Sequence, residues 1–300
     1  MRGIAAWRYD CLRPAARDGF AADAVMVDAA GHCRRDWLVR GELVEQAGQH
    51  RRVAHAAVGD LDGLHFHDRL PGGLFEGVVS RPAGEAAASR AGVMICHAFG
   101  GQSDVDVGHA ERMARLGHLG FAIDVYGQGR RATTGEEAAA LMGEMDTDRT
   151  LLLERLRASH AVMLAMEDVD AERMAAIGFC FGGKCALDAV RAKLGVRAVV
   201  SFHGLFDRPD WGATPPNPIT ASVLVLHGWG DPLATPSDTT RLAEELTAAR
   251  ADWQLLAFGH TSHAFTHPRA ASPEDGIVYD GRSAGRAWQA AERFLAEQIG

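Results

Sequence analysis

Lysine is almost missing from this 300-residue chain: Lys184 and Lys193 are its only two, and arginine supplies the remaining basic charge. Basic residues number 31 against 39 acidic ones, a net charge of −8, which argues against a nucleic-acid or anionic-membrane partner. No stretch approaches the roughly eighteen consecutive apolar residues of a membrane span, and the N-terminus has no apolar signal core. A cytoplasmic protein is therefore expected. Cysteine is scarce and odd in number: Cys11, Cys33, Cys96, Cys180 and Cys185 show no Cys-x-x-Cys spacing, so neither a disulfide framework nor a zinc site is expected. The 14 histidines include no His-Glu-x-x-His pair. No internal repeat or low-complexity tract appears.

An apolar share of 47% is ordinary for a globular protein of one large or two small domains. Residues 1–65 are rich in Ala, Arg, Gly and Asp with scattered apolar positions, and read as an N-terminal extension of uncertain order without a site of its own. From residue 66 to 300 one domain is expected. Leu74–Val79 alternates like a strand, and Gly92–His97, Phe121–Val125, Met174–Ile177, Arg197–Phe202, Ser222–His227 and Trp253–Phe258 are short apolar runs suited to strands buried on both faces. Helical spacing separates them: Ala110, Met113, Ala114 and Leu116, then one long helix over about Thr147 to Met166, the segment after Gly183, about Ser237 to Ala249, and a last helix carrying Trp288, Ala291 and Leu295. A proline-rich loop covers Thr214 to Pro218. Alternating strand and helix imply a mostly parallel central sheet with helices on both faces, an α/β class.

The sharpest feature is Gly178-Phe179-Cys180-Phe181-Gly182-Gly183 between a buried strand and a helix. It has the Gly-x-nucleophile-x-Gly form of a nucleophile elbow, with cysteine in place of serine. Such a turn strains the central residue and crowds neighbouring backbone, so glycines flank it. It presents the sulfur beside the positive end of a helix, which favours thiolate and offers N–H groups to an oxyanion. In an open parallel sheet the site lies at the carboxyl ends of the strands. Cys180, Asp231 and His263 all follow strands, in the order nucleophile, acid, histidine that α/β-hydrolases use. The backbone N–H of Phe181 and that of Ala98, in the loop after an earlier strand, are the expected oxyanion donors. Other assignments compete. His260 could replace His263 as base, and Asp231, in Gly-Trp-Gly-Asp-Pro, could merely cap its turn. His203 and His227 end strands and are expected to pack and hydrogen-bond there, while Cys96 and Cys185 read as core.

The elbow, the Gly-Trp-Gly-Asp231 turn and Ser262-His263-Ala264-Phe265-Thr266 together resemble the dienelactone hydrolase family, from about Leu74 to the C-terminus. The resemblance implies a cytoplasmic single-domain α/β-hydrolase with a Cys-Asp-His triad, no metal or organic cofactor, and His263 rather than His260 as the histidine. Two positions depart from the pattern. The best-known members, which open the lactone ring of dienelactones, carry a glutamate where His97 stands and a carboxylate-binding arginine where His267 stands. His97 and His267 are thus possible substrate contacts, and His97 either a second general base or a loop stabiliser. An anionic dienelactone is not the expected substrate, although Arg130, Arg131 and Arg149 could bring positive charge from other loops. The reading is a monomeric or homodimeric hydrolase of small carboxylic esters or lactones, acting through a covalent acyl-enzyme. The alternatives are thioester hydrolysis or acyl transfer on the same triad, and a non-catalytic binding or redox-sensing domain.

Overall fold

A computed structural model describes residues 64–70, 73–83, 89–211 and 218–300. The expected extension therefore lies outside the described residues except for its last two positions, and so does most of the proline-rich loop. A strand opens at Leu64, inside the span read as the extension. Eight strands form one sheet: β1 (Leu64–Leu70), β2 (Gly73–Ser80), β3 (Arg90–Cys96), β4 (Leu119–Ala122), β5 (Val169–Phe179), β6 (Ala198–Phe202), β7 (Ser222–Gly228) and β8 (Asp252–Phe258), in the spatial order 1-2-4-3-5-6-7-8. β2 runs antiparallel to both β1 and β4, and all remaining pairs are parallel. β9 (Ala271–Ser272) and β10 (Ile277–Val278) make a small separate hairpin.

Successive side chains of a strand point to opposite faces, and the central strands use both. Met94, Cys96, Val199, Val223 and Val225 belong to one apolar layer, under α2 (Gly135–Thr147), α3 (Arg149–Leu164), α4 (Phe181–Arg191) and α5 (Pro236–Ala248). Val93, Ile95, Ala198, Val200, Leu224 and Leu226 belong to the other, under α1 (Asp104–Arg115) and α6 (Gly281–Ile299). In α6 the buried positions Ala284, Ala287, Trp288, Ala291 and Leu295 repeat every three or four residues, the stripe one helix face requires.

The helix expected over Thr147 to Met166 is α3, and its start is set by Asp148, whose backbone (φ −122°, ψ 81°) is not helical and whose carboxylate accepts from Leu151 N at 2.9 Å as the cap. The helix before it, α2, was not expected. α2 itself escaped the periodicity because only Ala138 and Met145 are buried along it. The strand expected over Phe121–Val125 ends at Ala122. There Asp124 takes the backbone N–H of Tyr126 (2.9 Å) and Gly127 (3.1 Å) and turns the chain out of the sheet.

α4 is buried at every position from Phe181 to Val190, charged residues included. Asp188, fully buried, receives Arg149 at 2.5 Å and Arg191 at 3.1 Å, and Arg191 also holds Glu245 at 2.8 Å. At the other end of α4, Lys184 bridges Asp146 (2.7 Å) and Asp207 (2.8 Å). Removing Asp188 leaves two largely buried arginines with one fewer partner each, Arg149 with Asp207 and Arg191 with Glu245. Asp188→Ala is expected to cost about 3–5 kcal/mol in urea unfolding; a loss below 1 kcal/mol would show that the network contributes little.

Candidate active site

Cys180 sits between β5 and α4 with φ 56° and ψ −116°, a backbone conformation unusual for a residue with a β-carbon. Its neighbours hold it there: Cys180 N donates to Phe202 O (3.0 Å), and Cys180 O accepts from Gly183 N (3.0 Å). The flanking glycines are required by close approach. A β-carbon on Gly178 would strike the Gly182 carbonyl, and one on Gly182 would strike the carbonyls of Cys96 and His97. Phe181 is the first residue of α4, where a helix leaves its N–H groups without intrahelical partners. The close packing at Gly182 sets this helix start beside the loop that begins at His97 and contains Ala98.

Asp231 and His263 meet from two loops. Asp231 follows β7, and its carboxylate is fully occupied: Oδ1 accepts from Leu233 N (2.8 Å) and Ala234 N (3.3 Å), while Oδ2 lies 2.7 Å from His263 Nδ1. His263 follows β8 and is held through its backbone by Gly276 O (2.9 Å) and Val278 N (3.1 Å) of the β9–β10 hairpin. Both side chains are buried. Cys180 interacts with this ring from the side opposite Asp231. Burial works against a charged imidazole, but it is outweighed by the charge of Cys180, the hydrogen bonds of Asp231 and Cys180 and the charge of Asp231, which raise the His263 pKa to about 10. Cys96 is pushed up to about 12 by burial and Asp106, and Cys185 well up by burial, so neither thiol ionises readily.

The remaining histidines separate by their surroundings. His260 is exposed beyond the end of β8, and the carboxylate of Asp231 contacts His263 instead. His203 donates to or accepts from Thr266 Oγ1 at 2.7 Å and stands edge-on to His263 at 5.2 Å; burial, then the positive His263, keep it neutral. His227 is fully buried with its ring against Phe206. In His97, Nδ1 lies 2.7 Å from Ala98 O and Nε2 accepts from Val125 N at 3.2 Å. Both ring nitrogens are thus engaged by backbone, which ties down the loop and leaves none for a substrate. His267 is half-buried, and its Nδ1 accepts from Arg269 N at 3.2 Å. The three candidate arginines are neutralised: Arg130 by Glu144 (2.6 Å), Arg131 by Asp124 (3.4 Å), and Arg149 by Asp188 and Asp207.

Tyr126 went unnoticed in the sequence. Its hydroxyl donates to Phe99 O (3.0 Å), and its ring lies edge-on to His97 at 4.7 Å and stacked on Phe181 at 5.6 Å, so it braces the 97–101 loop against the start of α4. The available signal was its place in Asp124-Val125-Tyr126-Gly127, just after a strand. Among the described residues no group of three His, Cys, Asp or Glu side chains is arranged to hold a metal ion, and no helix is long and apolar enough to cross a membrane.

Known proteins share this fold. A profile of the dienelactone hydrolase family matches residues 75–299. A solved structure named m3DLH is 30% identical, covering 79% of this chain and 98% of its own, with a TM-score of 0.72. A dienelactone hydrolase-like promiscuous phosphotriesterase, P91, from metagenomic libraries is 29% identical over the same shares, with a TM-score of 0.74. An uncharacterized Caenorhabditis elegans protein, K02A2.1, is 34% identical over 51% of this chain and 98% of its own length.

A histidine whose folded pKa exceeds its unfolded value of about 6.5 contributes stability that is complete below that pH and is lost as pH rises. For His263 the loss runs up through about pH 10. In an NMR titration the His263 imidazolium should persist to about pH 10, and Cys180→Ala should lower its pKa by removing the largest favourable influence. An unchanged His263 titration in that variant would contradict the coupling.

Proposed function

This chain belongs to the dienelactone hydrolase family and is a carboxylic ester hydrolase, and on that premise we propose that Cys180, His263 and Asp231 carry out the hydrolysis through a covalent acyl-enzyme. The observation that carries the reading is the 2.7 Å Asp231–His263 contact, whose imidazole interacts with a cysteine in a strained elbow. The Cys180 thiolate attacks the ester carbonyl carbon, and the carbonyl π pair moves onto oxygen. The oxyanion is received by the N–H groups of Phe181 and Ala98. Collapse breaks the C–O bond, and the leaving alkoxide takes the proton from His263 Nε2, so that a thioester on Cys180 and a neutral His263 remain. Water then attacks the thioester while His263 takes its proton. The C–S bond breaks, and the thiolate returns to its place beside the imidazolium. Asp231 holds the ring by Nδ1 throughout and stabilises its charged form.

The surroundings favour an uncharged acyl group. His267 stands where the best-known members carry the carboxylate-binding arginine, Arg269 beyond it pairs with Asp104 (3.0 Å), and Arg130, Arg131 and Arg149 are each paired with carboxylates. A substrate carboxylate would have to break one of those pairs. Small neutral esters and lactones carry no such requirement, and in a lactone the leaving alkoxide stays tethered to the acyl-enzyme.

Turnover of p-nitrophenyl acetate and of a panel of neutral and anionic lactones tests both points. His263→Ala and Cys180→Ala are expected to lose roughly 10⁴-fold in kcat/KM, as removal of a triad member does elsewhere. Mass spectrometry of the quenched wild-type enzyme should show an acyl adduct on Cys180. Equal turnover in all three proteins would refute the triad and leave a binding or redox-sensing role. A preference for anionic lactones would refute the neutral-substrate assignment alone.

A further inference from the structure

At the far end of α4 from Cys180, roughly 16 Å along an eleven-residue helix, lies a second cavity of about 250 Å³. Arg157 of α3, Arg191, Lys193 and Arg208 line it, with Glu245 as the one carboxylate and Trp211 as a wall. Part of this charge is already balanced. Arg191 is held by Asp188 and Glu245, and Arg208 lies 3.8 Å from Glu245. Arg157 and Lys193 have no ion pair among the described residues, so their charges are the surplus. Such a concentration stands out in a chain of net charge −8 that has one other lysine.

One further observation points to a ligand here. Trp211 Nε1 is a buried donor with no hydrogen-bond partner, although a buried indole N–H ordinarily finds an acceptor. The carbonyls that end α4 do not oppose an anion strongly, because the N–H groups of Ala192 (2.9 Å), Lys193 (3.1 Å) and Leu194 (2.9 Å) already cap them. An arginine, a lysine and an indole donor thus line one concavity whose single carboxylate, Glu245, is already engaged by Arg191 and Arg208.

We propose that this cavity binds a doubly charged oxyanion of the phosphate or phosphate-monoester kind. Arg157 and Lys193 neutralise the dianion, Trp211 Nε1 donates to one of its oxygens, and the indole face lies against whatever the oxyanion carries. The site is separate from the elbow and does not depend on the hydrolytic reading. Arg157 offers a planar fork suited to two oxygens and Lys193 a point charge.

The test is isothermal titration, with tryptophan fluorescence alongside, of the full-length protein against inorganic phosphate and phenyl phosphate, using acetate at matched ionic strength as background. Saturable binding of either phosphate is expected, weakened about tenfold by Arg157→Ala and by Lys193→Ala, the size of one charge-assisted hydrogen bond. Trp211→Phe should weaken it less. Equal affinity for the two probes assigns the site to free phosphate, and tighter phenyl phosphate assigns it to an organic monoester resting on Trp211. Thermal unfolding and p-nitrophenyl acetate hydrolysis serve as controls for the fold and should match wild type in all three variants. Absence of saturable binding, or variants that bind as tightly as wild type, overturns the proposal.

Discussion

The close contact at Gly182 is the constraint on which the rest of the site depends. Without side chains at Gly178 and Gly182, the first turn of α4 can lie against the carbonyls at the end of β3. Any larger residue there would separate helix from sheet. The separation would move Phe181 away from Ala98 and relax the backbone that presents Cys180. The surrounding structure works to keep this contact. Phe202 and Gly183 bind the backbone of Cys180, while His97 and Tyr126 fasten the opposite loop through the carbonyls of Ala98 and Phe99.

The charged groups behind α4 serve the same end. A helix buried along its whole length would normally be apolar, yet this one carries Lys184 and Asp188 inward. Each is matched by partners from a different element. Asp146 and Arg149 come from the α2–α3 junction and Asp207 from the loop after β6, while Glu245 from α5 holds Arg191 beside them. Ion pairs of this kind add little net stability compared with an apolar core, but their directionality permits few alternative seatings of the helix. They also consume the cations that a charged substrate would need. The same pairing that seats α4 therefore bears on what the site accepts.

His263 shows how electrostatics and connectivity combine. Its loop is pinned to the β9–β10 hairpin by backbone bonds, so its ring reaches Asp231 without help from its own strand. Burial alone would discharge the ring; the neighbouring thiol and carboxylate reverse that outcome. His203, a few ångströms away and equally buried, lacks such anions and stays neutral. Two similar side chains acquire opposite charge because of what faces them.

Much of the fold was legible in sequence because it rests on local repetition. Apolar runs at strand length and the three-to-four spacing of Trp288, Ala291 and Leu295 mark elements whatever the rest of the chain does. The order Cys180, Asp231, His263 was equally plain, since strand ends in a parallel sheet converge on one edge. The exposed element was not legible: α2 buries too little to leave a period. Chain order alone left His260 and His263 both open, and only the family resemblance favoured His263; nothing in the sequence told that His97 has both nitrogens engaged. Residue type and chain order by themselves determined the elements, the family resemblance and the candidate nucleophile. Which histidine meets Asp231, which arginines are already paired, and how Tyr126 braces the loop depended on contacts between residues far apart in the chain. Only the packed structure decided those, because distance and desolvation arise when the elements come together.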